Sequence, residues 1–293
     1  MSIYYLENET IKVEIHSLGA ELKSVFHKKI DKEILYSGKE SWWNRSAPVL
    51  FPIVGRLKNE SYIFENKNHS LSQHGFARNL NFDCIAQEKN TITFSLKSNE
   101  ETLKVYPFTF ELQLKYVLNN NQVQTTYKVF NHDSKEMFFS IGAHPGFVCP
   151  LFENENFEDY YLEFEKEESF ERQLLNLEKG IFSGQSEMIP NQNKQIKLDY
   201  SFFEKDAIVF EKFNSSKIYL KSKKSNYSLE FAFQDFPFFG IWTKPEAKFI
   251  CLEPWCGLAD SENSKGDLTE KKGINTLSPN AFFERSFSFT INY

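Results

Sequence analysis

Apolar and polar residues alternate with a period of two along much of the chain. The alternation is clear in six segments, at positions 11–15, 92–96, 108–114, 123–129, 227–233 and 287–291. Because successive side chains of a β-strand point to opposite faces, each segment predicts a strand with one buried face. The three asparagines at 119–121 separate two of these segments and predict the turn of a β-hairpin.

Helical periodicity is scarce. We expect at most a turn or two of helix near 170–177 and 201–205, and we expect the charge runs 163–168 and 221–224 to form solvated faces or hairpin tips. The chain shows no internal repeat and no linker. Many short strands without helices must pack sheet on sheet, so the pattern predicts one large antiparallel β-sandwich domain over residues 1–293.

The composition narrows the class of protein. Aromatic residues make up 16% of the chain, which favours strands and a large core. The formal net charge of −6 disfavours a nucleic-acid partner. No stretch approaches the roughly 18 apolar residues of a membrane span, and the first residues do not resemble a secretion signal. With 4 cysteines and no CxxC pair, we expect a cytoplasmic protein with reduced thiols and no membrane partner.

Two turn-rich segments place a basic side chain beside a glycine. In the first, Gly55-Arg56 follows an apolar run, which presents a guanidinium at a strand end. This arginine serves either a binding site or a surface salt bridge. In the second, His74 precedes Gly75, which permits close approach of the backbone to a ligand. The alternative for His74 is a hydrogen-bonded structural histidine.

Two further segments carry candidate acid–base groups. His144 lies in a Gly-Ala-His-Pro-Gly bend, where small neighbours leave the imidazole accessible for proton transfer; a purely structural turn is the alternative. Glu253 lies among apolar and aromatic residues in the segment 251–257. Desolvation there raises the pKa of a carboxyl group toward the range of a useful base. An isolated carboxylate in such a segment is costly without a ligand or partner, which favours function.

Together these segments resemble the aldose 1-epimerase (galactose mutarotase) superfamily, in particular its LacX-like, mutarotase-related branch. The resemblance is carried by Gly55-Arg56, by the His-Gly-Phe-Ala-Arg of 74–78, by the His-Pro-Gly of 144–146 and by the Leu-Glu-Pro-Trp of 252–255. Their order and spacing cover nearly the whole chain. The resemblance implies a large antiparallel β-sandwich that uses no cofactor and interconverts the α and β anomers of a hexose.

The resemblance also implies roles for the acid–base residues. Glu253 matches the catalytic base of the family, His144 matches the catalytic acid, and His74 matches a second histidine that contacts the sugar. Anomer exchange needs a proton removed from the C1 hydroxyl and another delivered to the ring oxygen. A carboxylate and an imidazole suffice for both transfers.

Five more residues are candidate sugar ligands by the same resemblance. Arg56 matches a substrate-binding arginine, whereas Arg78 and, on a shorter motif, Asp206 match groups of the hexose-phosphate epimerase branch. Trp242 and Trp255 are candidate platforms for stacking on the sugar. A neutral hexose is the favoured substrate, and a hexose 6-phosphate is the alternative.

Two other functions remain open at this point. His74, His144 and Glu253 form a possible metal-ligand set of a hydrolase, although no HExxH-type spacing supports a metal site. A β-sandwich with aromatic platforms can also bind carbohydrate without chemistry, but binding alone does not need an acid–base pair. The sequence leaves the oligomeric state open.

Overall fold

The computed structural model describes residues 1–38 and 42–293, and these residues form β-strands almost throughout. The strands are, in chain order, β1 (Ile3–Glu7), β2 (Ile11–His16), β3 (Leu22–His27), β4 (Lys32–Glu33), β5 (Val49–Leu50), β6 (Ser61–Phe64), β7 (Lys67–Ser70), β8 (Asp83–Gln87), β9 (Thr91–Lys97), β10 (Phe110–Asn119), β11 (Gln122–Asn131), β12 (Met137–Phe139), β13 (Ile141–Ala143), β14 (Gly146–Val148), β15 (Tyr160–Phe164), β16 (Glu171–Asn176), β17 (Ile181–Met188), β18 (Gln195–Lys197), β19 (Ile208–Phe210), β20 (Lys217–Ser222), β21 (Ser228–Ala232), β22 (Phe238–Trp242), β23 (Phe249–Cys256), β24 (Asn275–Leu277) and β25 (Phe282–Asn292).

Two large antiparallel sheets dominate the fold. The larger sheet has 9 strands in the order β18-β15-β20-β21-β25-β11-β10-β9-β8. The smaller has 8 strands, in the order β17-β16-β19-β22-β23-β13-β5 with β14 also paired to β23. Strands β1 to β4 form a separate 4-stranded sheet, and β6-β7 and β12-β24 form 2-stranded ribbons. The predicted antiparallel β-sandwich is therefore confirmed.

The six alternating segments all form strands. The asparagine turn is also confirmed, because β10 and β11 pair directly, with Asn119 opposite Gln122. Residues 108–114 differ slightly from the prediction, since β10 begins at Phe110.

The expectation of helix was wrong at one of its two positions. Residues 171–176 form strand β16, which pairs with β17 and β19, so sheet pairing overrides the weak helical pattern. The second position holds a short 3₁₀ turn, Tyr200–Phe203. Three further 3₁₀ turns occupy Lys58–Glu60, Ala77–Asn79 and Phe157–Asp159.

The chain also contains an α-helix that the pattern did not predict, α1 (Glu100–Val105). Asn99 caps this helix by accepting from the backbone N–H groups of Glu101 and Thr102, and the Thr102 hydroxyl accepts from the Asn99 N–H. Among the described residues, no helix combines the length and the apolar character needed to cross a membrane.

The two large sheets pack together through phenylalanine side chains. Phe147 of β14 contacts Phe231 of β21 and Phe289 of β25, with ring centroids 5.9 and 5.1 Å apart. All three rings are buried and belong to the main hydrophobic core. The aromatic content of the sequence therefore fills the space between the sheets.

Strand β23 is buried on both of its faces. Ile250 and Leu252 belong to the main core, on the side of the larger sheet. Phe249, Cys251 and Trp255 point to the other face and belong to two smaller clusters. Glu253 has the same parity as this second set, so the smaller sheet presents its carboxyl group on the face away from the main core.

Truncation of a ring between the sheets should test this packing. We expect Phe147→Ala to lower the free energy of unfolding by about 3–5 kcal/mol, because it leaves a cavity in a close-packed core. The matched control is Phe282→Ala, since Phe282 is 56% exposed, and it should cost less than about 1 kcal/mol. Urea unfolding of both variants gives the comparison, and equal losses would contradict the assigned core.

Candidate active site

A cavity of about 380 Å³ opens on the face of the smaller sheet that lies away from the main core. Its volume falls within the usual range for small-molecule sites. The structure brings all the sequence-predicted site residues to this cavity, from segments far apart in the chain. They are Arg56, His74, Arg78, His144, Asp206, Trp242, Glu253 and Trp255.

The register of three strands places His144 opposite Glu253. Strands β13 and β14 both pair with β23, with Gly142 opposite Trp255 and Gly146 opposite Cys251. The two pairings share one register, which puts position 144 across from position 253. Side chains directly opposite in an antiparallel pair lie on the same face. The His144 Nε2 and Glu253 Oε2 atoms accordingly lie 3.2 Å apart.

Burial shifts both groups toward their neutral forms. Burial raises the pKa of Glu253 well above its ordinary value, and the nearby charge of Asp206 adds to the rise. Burial also lowers the pKa of His144 to about 3, with a smaller contribution from the Arg78 guanidinium. Between these limits the pair holds one titratable proton, besides the ring proton that a neutral imidazole keeps. This titratable proton can be shared along the 3.2 Å contact.

His74 lies beside this pair and has a defined tautomer. The backbone N–H of Gly55 donates to His74 Nδ1 over 3.0 Å. The proton of the neutral ring is therefore on Nε2, which makes that atom a hydrogen-bond donor. Burial lowers the pKa of His74 well below its usual value, and the His144 charge contributes further. The ring meets His144 edge to face, at 5.8 Å between centroids.

The loop that carries His74 depends on a glycine. Gly75 has a φ of +68°, and a Cβ there would lie 2.3 Å from the carbonyl oxygen of Phe51. Only glycine fits this left-handed position against a neighbouring backbone. Gly75 therefore sets the path of the loop that carries His74, as well as leaving space beside that histidine.

Arg56 is held through its backbone by a buried ion pair. The N–H of Asp260 donates to the Arg56 carbonyl (2.8 Å), and the Asp260 carboxylate accepts from the N–H of Lys58 (2.9 Å). That carboxylate also pairs with Lys271 at 2.7 Å. The Arg56 guanidinium itself is half-exposed and lies 3.6 Å from Glu60.

Arg78 is more enclosed. Its Nη2 donates to the carbonyl of Gln73 over 2.8 Å, and its buried Nε has no hydrogen bond to a described residue. Burial lowers its pKa, and the charge of Arg45 adds to this effect. Within the described part of the chain, neither Arg56 nor Arg78 forms an ion pair with Asp206 or Glu253. Asp206 is exposed at the cavity wall.

The two predicted tryptophan platforms both line the cavity, in different settings. Trp255 is buried and lies over two glycines, since a Cβ at Gly142 or Gly240 would come within 2.6 or 2.7 Å of its ring. Trp242 is half-buried and meets His144 edge to face, with 5.6 Å between centroids. Trp255 therefore forms part of the floor, and Trp242 part of the wall beside His144.

Sequence reasoning missed several residues of the cavity. Trp43 stacks on the His144 ring at 4.7 Å, and Lys244 adds a third cation to the lining. The hairpin of β16 and β17 supplies apolar side chains, including Leu177, which is 60% exposed. A pair of tryptophans at 42–43 beside Asn44 is an unusual feature of a polar segment and could have indicated Trp43. The others carry no motif.

One group of possible metal ligands lies in the described part of the chain. His144, Cys251 and Glu253 bring ligand atoms within 4.8 Å of one another. His74 is not part of this group, and its Nδ1 is engaged by Gly55. The set of two histidines and one carboxylate considered from the sequence is therefore not assembled.

Comparisons with known proteins agree on one family. The family model for aldose 1-epimerase matches residues 2–273. Chromosomal protein LacX of Lactococcus lactis subsp. lactis is 37% identical over 295 residues, which cover 98% of each chain.

Solved structures give the same result. A galactose mutarotase related enzyme from Lactobacillus acidophilus is 38% identical, with a TM-score of 0.95 over 100% of this chain and 98% of that one. A galactose mutarotase-like protein from Lactobacillus casei is 31% identical, with a TM-score of 0.93 over 99% and 100%. On this similarity of sequence and fold, the chain belongs to the aldose 1-epimerase family.

Proposed function

We propose that the protein interconverts the α and β anomers of an aldohexose by acid–base catalysed opening and closure of the sugar ring. Family membership supports a sugar epimerase or mutarotase function. The observation that carries the finer proposal is the buried His144–Glu253 pair, 3.2 Å apart, beside an aromatic cavity of about 380 Å³. A binding module does not need a desolvated acid and imidazole in contact.

The proposed reaction uses only proton transfers. Glu253 removes the proton of the C1 hydroxyl while His144 delivers one to the ring oxygen, and the ring opens. Rotation about the C1–C2 bond presents the other face of the carbonyl, and closure reverses both transfers. These steps need no electron transfer. His74, with Nε2 protonated, would donate to a sugar oxygen.

These roles require the shared proton to lie on His144 when the sugar binds. Burial by the protein favours the proton on Glu253. Both arrangements have the same net charge, so moving the proton does not change the charge of the pair. Sugar hydroxyls that donate to Glu253 would stabilise its ionised form. We therefore infer that substrate binding prepares the base.

The remaining cavity residues would hold the sugar. Arg56, Arg78 and Asp206 can hydrogen-bond ring hydroxyls, and Trp242 and Trp255 can pack on an apolar sugar face. A hexose 6-phosphate is the second candidate substrate. It is favoured by Arg78, whose side chain has no carboxylate partner among the described ion pairs.

Replacement of the proposed base tests the mechanism. Glu253→Gln keeps the shape but cannot accept the proton, and should lower the catalysed anomer exchange by about 100-fold or more. The control is Glu136→Gln at an exposed position, which should leave the rate unchanged. Polarimetry or NMR exchange on freshly dissolved α-glucose and α-galactose measures both. Near-normal exchange in Glu253→Gln would contradict the role of Glu253, and sugar binding without exchange in the wild type would favour the binding module.

The pH dependence follows from the single shared proton. Below the His144 pKa of about 3 the pair holds two protons and lacks a base; above the raised pKa of Glu253 it lacks an acid. An ordinary histidine titrates near about 6.5. We therefore expect the enzymatic kcat/KM not to fall on acidification from about pH 7 to 5, after subtraction of the buffer-catalysed rate. A fall of activity on acidification through about pH 6.5 is the result that would refute it.

A comparison of charged and neutral sugars tests the substrate. The described lining contains three cations, Arg56, Arg78 and Lys244, and three carboxyl groups, Glu178, Asp206 and Glu253. Because Glu253 and His144 form a neutral pair, the lining carries a net charge of only about +1. We therefore expect kcat/KM for glucose 6-phosphate to exceed that for glucose by less than about tenfold. A larger preference that disappears in Arg78→Ala, but persists in Arg285→Ala outside the cavity, would favour the hexose-phosphate alternative.

A further inference from the structure

Among the described residues, no neighbouring residue forms the hydrogen bond to the second ring nitrogen that usually orients a histidine in proton transfer. Its Nε2 faces Glu253, but its Nδ1 is buried and has no hydrogen bond to any other described residue. In most acid–base histidines a partner on the second nitrogen fixes both the tautomer and the ring orientation. The ring contacts around His144 are therefore the remaining interactions with other residues that can orient it.

Aromatic rings surround His144 instead. Trp43 stacks on it, with centroids 4.7 Å apart and planes 30° apart. Trp242 and His74 meet it edge to face, at 5.6 and 5.8 Å. Of these three contacts, the stacked one covers a face of the imidazole and so opposes tilting of its plane most directly. Trp43 is thus the contact that sets the plane of the ring.

Trp43 is itself well anchored. Its carbonyl accepts a 3.0 Å hydrogen bond from the Tyr36 hydroxyl, and its ring stacks on Phe249 at 5.7 Å and meets Trp242 at 5.7 Å. Gly146 makes room for the ring, because a Cβ there would lie 3.2 Å from the indole. The indole is therefore a fixed surface against which the imidazole rests.

We propose that Trp43 is a positioning residue that orients His144 by stacking, in place of a hydrogen bond to Nδ1. The face of an indole also attracts a cation, so the same contact favours the imidazolium formed during proton transfer. The importance of this orientation for turnover rests on the proposed function, whereas the orientation itself does not.

Removal of the ring should lower turnover more than sugar binding. In Trp43→Leu we expect kcat to fall by about 10- to 100-fold, with KM within about threefold of the wild type. Trp43→Phe keeps an aromatic face and should restore kcat to within about threefold. Trp42→Leu is the matched control, since Trp42 is the neighbouring tryptophan and does not line the cavity. If Trp43→Leu does not fold, Trp43→Met replaces it.

Nitrogen NMR of labelled histidine gives a readout that does not depend on catalysis. In the wild type, and in Trp43→Phe and Trp42→Leu, the two His144 nitrogens should give two distinct resonances of one tautomer. In Trp43→Leu these should broaden, double or average. If the wild type exchanges no anomers but the His144 resonances still respond in this way, the proposed function fails and the positioning role stands.

Two results would overturn the positioning role. One is a set of His144 resonances that is unchanged in Trp43→Leu. The other is a rise in KM alone with kcat intact, which would make Trp43 a platform for the sugar.

Discussion

The site depends on one shared register between three strands. Strands β13 and β14 lie end to end along β23 and pair with it in one continuous register. The bend between them, which carries His144, therefore lies opposite Glu253. That arrangement brings an imidazole to 3.2 Å from a buried carboxyl group. A slip of one residue would turn Glu253 toward the main core, where a carboxyl group has no partner. Pairing of backbone groups thus fixes the chemistry of the side chains.

Strand β23 also explains how a buried site can lie on the face of a sheet. Because β23 is buried on both faces, its residues alternate between the core shared with the larger sheet and the floor of the cavity. Glycines at 142, 146 and 240 leave the space that Trp255 and Trp43 occupy. Glu253 and His144 are buried beside these aromatic rings. The low polarity of these surroundings raises the pKa of Glu253 and lowers that of His144. The two groups therefore form a neutral pair that shares one titratable proton.

Much of the fold could be predicted from the sequence, because alternation directly reports which face of a strand is buried. Where the alternation was weak, pairing with neighbouring strands determined the secondary structure. Residues 171–176, for example, form strand β16. The candidate residues Arg56, His74, His144 and Glu253 stood out because each combines a polar group with small or apolar neighbours. Trp43 was not singled out, because the pair of tryptophans at 42–43 is only a weak signal in an aromatic-rich chain. Its role depends on a ring contributed by a segment about 100 positions away.

The proton position that burial favours and the one that the proposed reaction needs are different, and this difference has a physical use. An ionised carboxylate in a buried cavity is costly unless hydrogen-bond donors surround it. The neutral Glu253–His144 pair is therefore the form of lower free energy in the protein alone. In the proposed reaction, sugar hydroxyls would supply the donors that an ionised Glu253 needs, and the Trp43 face would suit a protonated His144. The reactive form is then favoured mainly when substrate is present. Under the proposed mechanism, the cost of ionising Glu253 is met only in the complex, where it would contribute to selecting a polyhydroxylated ligand.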